Sequence, residues 1–181
     1  MTPKDKEYES LRREIEKLLE LEHSLYNILY VGATAILAWG IKEHEPFMCL
    51  LSYCIIFPSF YIMLSYISKI FKIGAYIYVY YEEYSWEKIL HKINTDKKYK
   101  KHRYVSSYRT PFIFVSIMST ALSIIIAHQI YSLYSITYIM IVILSFTLLL
   151  SFIIYVFSQK NYDNLKKIYI EAFYTIKLED L

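Results

Sequence analysis

Residues 110–157 read TPFIFVSIMSTALSIIIAHQIYSLYSITYIMIVILSFTLLLSFIIYVF, without a single Asp, Glu, Lys or Arg. A helix crosses a hydrocarbon core about 30 Å thick with roughly 20 residues, at a rise of about 1.5 Å each. A stretch of this length is therefore two crossings. The turn falls at Ser132-Leu133-Tyr134 and leaves spans over residues 110–131 and 135–157. Upstream, the same reasoning gives spans over residues 23–41 and 47–68, joined by the polar tract Lys42-Glu43-His44-Glu45-Pro46. Pro58 lacks an N–H and is expected to kink the second span. The expectation is an all-α, polytopic membrane fold of four transmembrane helices in two hairpins, residues 23–68 and 110–157. Amphipathic helices are expected at both termini, residues 1–22 and 158–181, and in the central loop, residues 69–109.

The chain is 56% apolar and 20% charged, with a mean hydropathy of +0.27, and its charges lie in blocks between the spans. The first 22 residues carry seven acids and five Lys or Arg, which excludes the apolar segment of a signal peptide there. Five Lys or Arg precede the first span, ten lie in residues 69–109 and four follow the fourth span, against one in the first turn and none in the second. By the positive-inside rule the termini and the long loop are expected in the cytoplasm, with the protein in the inner (plasma) membrane. Trp39, Tyr66, Tyr131, Tyr134 and Tyr138 fit the aromatic belts at the two interfaces.

Within the N-terminal block, Tyr8, Leu11, Ile15, Leu18, Glu22, Leu25 and Leu29 recur at helical 3-4 spacing. Such a seam suits either a helix lying on its own protein or on headgroups, or an oligomer-forming coil. In the tail, Tyr162, Leu165, Tyr169, Ala172 and Ile176 share one helical face.

Only Gly32, Gly40 and Gly74 are present, so neither a dinucleotide-binding glycine loop nor a P-loop can be written in this chain. No span holds a carboxylate, and His23, His44, His91, His102 and His128 never pair with Cys, Asp or Glu at metal spacing inside a span. Intramembrane proteases, proton relays and metal transporters place such groups near the midplane. No catalytic residue, metal or cofactor is expected, and the chain is not expected to be an enzyme. Cys49 and Cys54 both lie in the second span on different faces, as apolar packing residues rather than a disulfide.

Two polar stripes run inside the spans. His23, Asn27, Tyr30 and Thr34 fall in a narrow sector of the first, continued by Ala38, and are candidates to line a water-filled path. Bonding to a neighbouring helix is the commoner use of such residues. Ser116, Ser119, Thr120, Ser123 and Ala127 form a second stripe whose small side chains let helices approach closely, with Thr147, Ser151 and Ser158 of the fourth span in similar register. Four short spans are too few to enclose a wide aqueous path, so conduction requires several copies around an axis, four being the first expectation.

The long loop opens on Gly74-Ala75-Tyr76-Ile77-Tyr78-Val79-Tyr80-Tyr81-Glu82-Glu83-Tyr84-Ser85-Trp86-Glu87, expected as a helix continuing out of the second span. It ends in the basic run Lys97-Lys98-Tyr99-Lys100-Lys101-His102-Arg103. Lys97, Lys98, Lys100, Lys101 and Arg103, with Tyr99 and Tyr104, are candidates to bind a phosphate-bearing, base-stacking ligand or anionic headgroups.

The run Tyr76 to Val79 with its acidic pair and Trp86-Glu87, following two spans, resembles a group of small bacterial four-span membrane proteins. In overall layout the chain is similar to the membrane effectors of anti-phage systems of the Kiwa and Hailong type. The resemblance covers the architecture over most of the chain and about a dozen residues as a motif. It implies an oligomeric protein that responds to infection, in some cases to a nucleotide signal, and damages or depolarises the host membrane. The expected function is thus a homo-oligomeric, channel-like effector, with membrane lipids, further copies and a cytoplasmic partner protein or nucleotide signal as partners. The alternative is a non-conducting scaffold or sensor that recruits a cytoplasmic partner through the basic loop and tail.

Overall fold

The computed structural model describes residues 3–81, 108–159 and 165–179, and among these every regular element is a helix. In chain order they are α1 (Pro3–Lys42), α2 (Pro46–Leu51), α3 (Tyr53–Tyr80), α4 (Thr110–Ile130), α5 (Ile136–Ser158) and α6 (Leu165–Glu179). Four are long and apolar enough to cross a membrane: α1, the α2–α3 pair, α4 and α5. The described residues thus form a helical membrane protein with four spans.

α1 starts with Pro3 in its first turn, where a missing N–H costs nothing, and continues for 40 residues. At about 60 Å it is twice as long as a hydrocarbon core is thick, and its charged first half lies beyond the apolar stretch. It ends in a Schellman cap: the Glu45 N–H donates to Gly40 O at 3.0 Å and the His44 N–H to Ile41 O at 3.3 Å. The cap requires a left-handed residue, and here that residue is His44, at φ 53°. Pro46 follows and opens α2.

The second span is interrupted at Ser52, and Pro58 sits inside α3. Ser52 donates its N–H to Cys49 O at 3.4 Å, three residues back, and its hydroxyl to the same carbonyl at 2.7 Å. A side chain that bonds the preceding turn in this way competes with the regular ladder.

The chain divides into two compact units. The first combines Met1–Glu22, Met63–Ser107 and Lys160–Leu181. Its core is Ala75, Val79 and Ile170, with Tyr78, Tyr80, Tyr169 and Phe173 packed around it. The Tyr76 ring meets Phe173 edge-on at 5.6 Å, and Lys177 donates to Val79 O at 3.0 Å. On α1, Tyr8, Leu11 and Ile15 are half-buried and Leu18 is buried, so this part of the heptad seam lies on its own protein. The tail face differs from the expected one. Ile170 is buried and Tyr169 and Phe173 are half-buried, while Ala172 and Ile176 stay exposed and Tyr162 lies outside the described residues. The small Ala75 on α3 leaves room for Ile170 and Phe173, which fill more volume than Ala172 would.

The second unit combines His23–Ile62 and Tyr108–Gln159. Phe60 is its centre, edge-on to Phe112 at 5.2 Å, Phe152 at 5.6 Å and Tyr155 at 5.6 Å. Gly40 brings α1 against α2 so closely that a Cβ there would stand 2.8 Å from the Cys49 sulfur. In their most apolar stretches, 50% of the second span and 44% of the third are buried, against 22% of the first and 22% of the fourth. The outer spans therefore carry the faces that this chain leaves uncovered.

Candidate functional site

The stripe on α4 is wholly internal: Ser116, Ser119, Thr120, Ser123 and Ala127 are all buried. It meets the start of the second span through hydroxyl groups. Ser52 Oγ lies 2.7 Å from Ser119 Oγ, and the Tyr53 hydroxyl donates to Ser116 O at 3.1 Å and stands 2.8 Å from Thr120 Oγ1. Ser123 donates to Pro46 O at 2.9 Å. The fourth span contributes Ser145, which is buried and 3.4 Å from Ser123 Oγ. Thr147, Ser151 and Ser158, expected in that role, are exposed. Ser145 shares the inward face with Ile141, Phe152 and Val156, whereas Thr147 stands about 200° further round the helix.

Each serine has one proton to give. Ser119 also reaches Val115 O at 2.8 Å, so the Ser52–Ser119 pair has two proton orders, one ending on Cys49 O and the other on Val115 O. Among the described residues no buried side-chain polar atom lacks a partner. The seam is a neutral, satisfied network that joins three spans, with no group in it that titrates near neutral pH.

The stripe on α1 points the opposite way. His23, Asn27, Tyr30, Thr34 and Ala38 are exposed, while Leu25, Leu29, Ala33 and Gly40 are buried. Among the described residues, neither the Asn27 nor the Thr34 side chain has a hydrogen-bond partner within the chain. An amide in hydrocarbon without a partner costs roughly 2–7 kcal/mol, depending on reference state. The chain itself does nothing to offset that cost.

No family model, curated protein or solved structure matches this chain.

The basic run Lys97, Lys98, Lys100, Lys101 and Arg103, with Tyr99 and Tyr104, lies outside the described residues. The aromatic segment before it is helical to Tyr80, where α3 ends. Here the Tyr76 hydroxyl donates to Glu7 at 3.1 Å and its ring stacks on Tyr80 at 4.7 Å. Burial first, and the Glu7 carboxylate second, push the Tyr76 phenol above its ordinary pKa, so it remains a donor. Two further groups gain a role that composition did not reveal. Arg109 donates to Gln159 O at 3.2 Å and to the Tyr108 hydroxyl at 3.0 Å, tying the start of α4 to the end of α5. Cys49 is buried against Gly40, while Cys54 is exposed. Among the described residues no three His, Cys, Asp or Glu side chains come together as metal ligands.

Proposed function

We propose that the protein is a homo-oligomeric, channel-like membrane effector whose first span lines the conducting path. One observation carries this reading: the polar stripe His23, Asn27, Tyr30 and Thr34 lies on the uncovered side of α1, opposite the residues that pack in the chain. Lipid cannot satisfy Asn27 or Thr34, whereas water in a shared lumen, or a second copy, can. A ring of copies with α1 innermost places these stripes around the axis. The alternating hydroxyl and amide groups then supply the polar lining that a lumen needs without fixed charge.

Nineteen of twenty Lys and Arg lie on one side of the spans, which orients the termini and the long loop to the cytoplasm of the inner membrane. The similarity of layout to the Kiwa and Hailong effectors carries the role in bacterial anti-phage defence. On this reading the basic run at residues 97–103 receives a phosphate-bearing signal or a cytoplasmic partner, and opening depolarises the cell. Nothing in this activity makes or breaks a covalent bond.

The test is conductance in reconstituted bilayers, with wild type against the double substitution Asn27→Leu and Thr34→Leu. Loss of current with an unchanged oligomer mass by mass photometry supports the reading. A wild-type oligomer that passes no current under any trigger is a scaffold instead, and current that survives the substitutions removes α1 from the pore.

A further inference from the structure

Within the first unit, α1 and α3 run antiparallel and bound a cleft of about 560 Å³. It is lined by Glu7, Leu11, Glu14 and Leu18 from α1, by Lys69, Lys72, Ile73 and Tyr76 from α3, and by Phe173. Four charges of two signs therefore face one space, and among the described residues Glu14, Lys69 and Lys72 have no ion-pair partner. Glu7 alone is engaged, by the Tyr76 hydroxyl at 3.1 Å.

Across the cleft, Glu14 on α1 faces the wall that carries Lys69 and Lys72 on α3. Lys69 and Lys72 are one turn apart on one face, a spacing at which two ammonium groups can reach a single phosphate. Lys69 is also the first cation after the apolar span 47–68, and Leu18 stands five residues before the apolar span 23–41. The cleft thus opens where the spans leave hydrocarbon. Its walls are apolar at Leu11, Leu18, Ile73 and Phe173, which suits a ligand with a lipid body.

We infer that this cleft binds the zwitterionic headgroup of a phosphoethanolamine lipid, its phosphate on Lys69 and Lys72 and its ammonium on Glu14. The charge balance selects this class. A purely anionic headgroup or a nucleotide polyphosphate would bring negative charge against Glu7 and Glu14, with nothing to match them. A trimethylated ammonium offers Glu14 no N–H to accept. A primary ammonium satisfies both requirements, and the lipid replaces the ion pairs that the helices leave open. The site is independent of the channel reading, because it needs one chain and no current.

The experiment is native mass spectrometry of the full chain in mild detergent. It is titrated with phosphatidylethanolamine, phosphatidylglycerol and phosphatidylcholine of identical acyl chains, and with soluble glycerophosphoethanolamine. The expected result is a preference for phosphatidylethanolamine of roughly tenfold over the other two lipids, the worth of one charge-assisted hydrogen bond. Glu14→Gln should abolish the preference while leaving phosphatidylglycerol binding in place. Lys69→Gln with Lys72→Gln should weaken all three lipids, and Lys69→Arg with Lys72→Arg should restore them, which separates loss of binding from loss of fold. Three outcomes overturn the inference. They are equal or tighter binding of phosphatidylglycerol to wild type, a preference that survives Glu14→Gln, and soluble glycerophosphoethanolamine binding as tightly as the lipid. A fourth is a thermal double-mutant cycle in lipid-free detergent that shows Glu14 and Lys69 already coupled, since the cleft would then be closed by its own ion pair.

Discussion

Gly32 and Gly40 both lie on the side of α1 that packs, yet the same change to alanine should have opposite consequences at the two positions. In a helix, Gly→Ala is worth up to about 1 kcal/mol from backbone entropy alone. At Gly32 the new methyl meets only the Cδ1 tip of Ile55 at 2.9 Å, an atom that rotates away cheaply. The expected net effect is between zero and about 1 kcal/mol of stabilisation. At Gly40 the methyl meets the Cys49 sulfur at 2.8 Å, the Cys49 backbone nitrogen at 3.2 Å and Met48 Cβ at 3.3 Å. The sulfur is buried, the nitrogen and the Cβ move only with the backbone, and the Gly40 carbonyl is itself held by the Glu45 N–H in the helix cap. Overpacking of this kind costs typically about 1–3 kcal/mol, which exceeds the propensity gain. Thermal denaturation in one detergent, followed by far-UV circular dichroism, reads the difference. For a chain of this size about 1 kcal/mol moves the midpoint by about 2–4 °C, so Gly40→Ala should melt several degrees below Gly32→Ala. Equal midpoints, or Gly40→Ala as the more stable of the two, would refute the close approach of α1 to α2.

His44→Gly should stabilise the chain by about 1 kcal/mol in the same assay, because it relieves a left-handed residue that carries a Cβ. A fall in midpoint would contradict the cap geometry. Tyr53→Phe removes the hydroxyl bonded to Ser116 O and Thr120 and should cost about 1 kcal/mol, with a smaller loss where Thr120 has first been changed to Val, since only the Ser116 O bond is then left to lose. The raised pKa of Tyr76 gives a pH signature. A folded value above the unfolded one, about 10, contributes stability that is fully present below pH 10 and is lost as pH rises through the folded value. Alkaline unfolding should therefore begin at higher pH in Tyr76→Phe than in wild type, and identical alkaline limbs would count against the burial of that phenol.

Four crossings are legible in the sequence because lipid leaves the backbone no alternative. The charge-free run 110–157 can only be helical, and its length demands a turn. Helix faces are harder, since periodicity groups residues without saying which way the group points. His23, Asn27, Tyr30 and Thr34 share a sector by arithmetic. That the sector is uncovered depends on Gly32 and Gly40, which let the second span approach on the opposite side of α1. Ser145 is illegible in the sequence for a related reason: one serine makes no stripe, and its role comes from facing Ser123 on α4. In the tail, Leu165, Tyr169, Ala172 and Ile176 are a sound apolar face in isolation, but the shape of α3 at Ala75 and Val79 selects the neighbouring face with Ile170 and Phe173. Pro58 and Ser52 make the same point in the second span. A missing N–H at Pro58 is visible in any sequence, whereas the interruption arises where the Ser52 hydroxyl meets both Cys49 O and Ser119.

Whether the uncovered stripe of α1 faces water in an assembly can be read from thiol accessibility during conductance. In a background with Cys49 and Cys54 replaced by Ala, single cysteines are introduced by Asn27→Cys and by Ile28→Cys, and a charged, membrane-impermeant thiol reagent is added to reconstituted channels. Ile28 is 57% exposed but stands about 120° round the helix from the centre of the stripe, on a face that meets lipid or a neighbouring copy. If the stripe faces water, the reagent blocks current through Asn27→Cys and leaves Ile28→Cys unchanged. Block at Ile28→Cys with none at Asn27→Cys would contradict it.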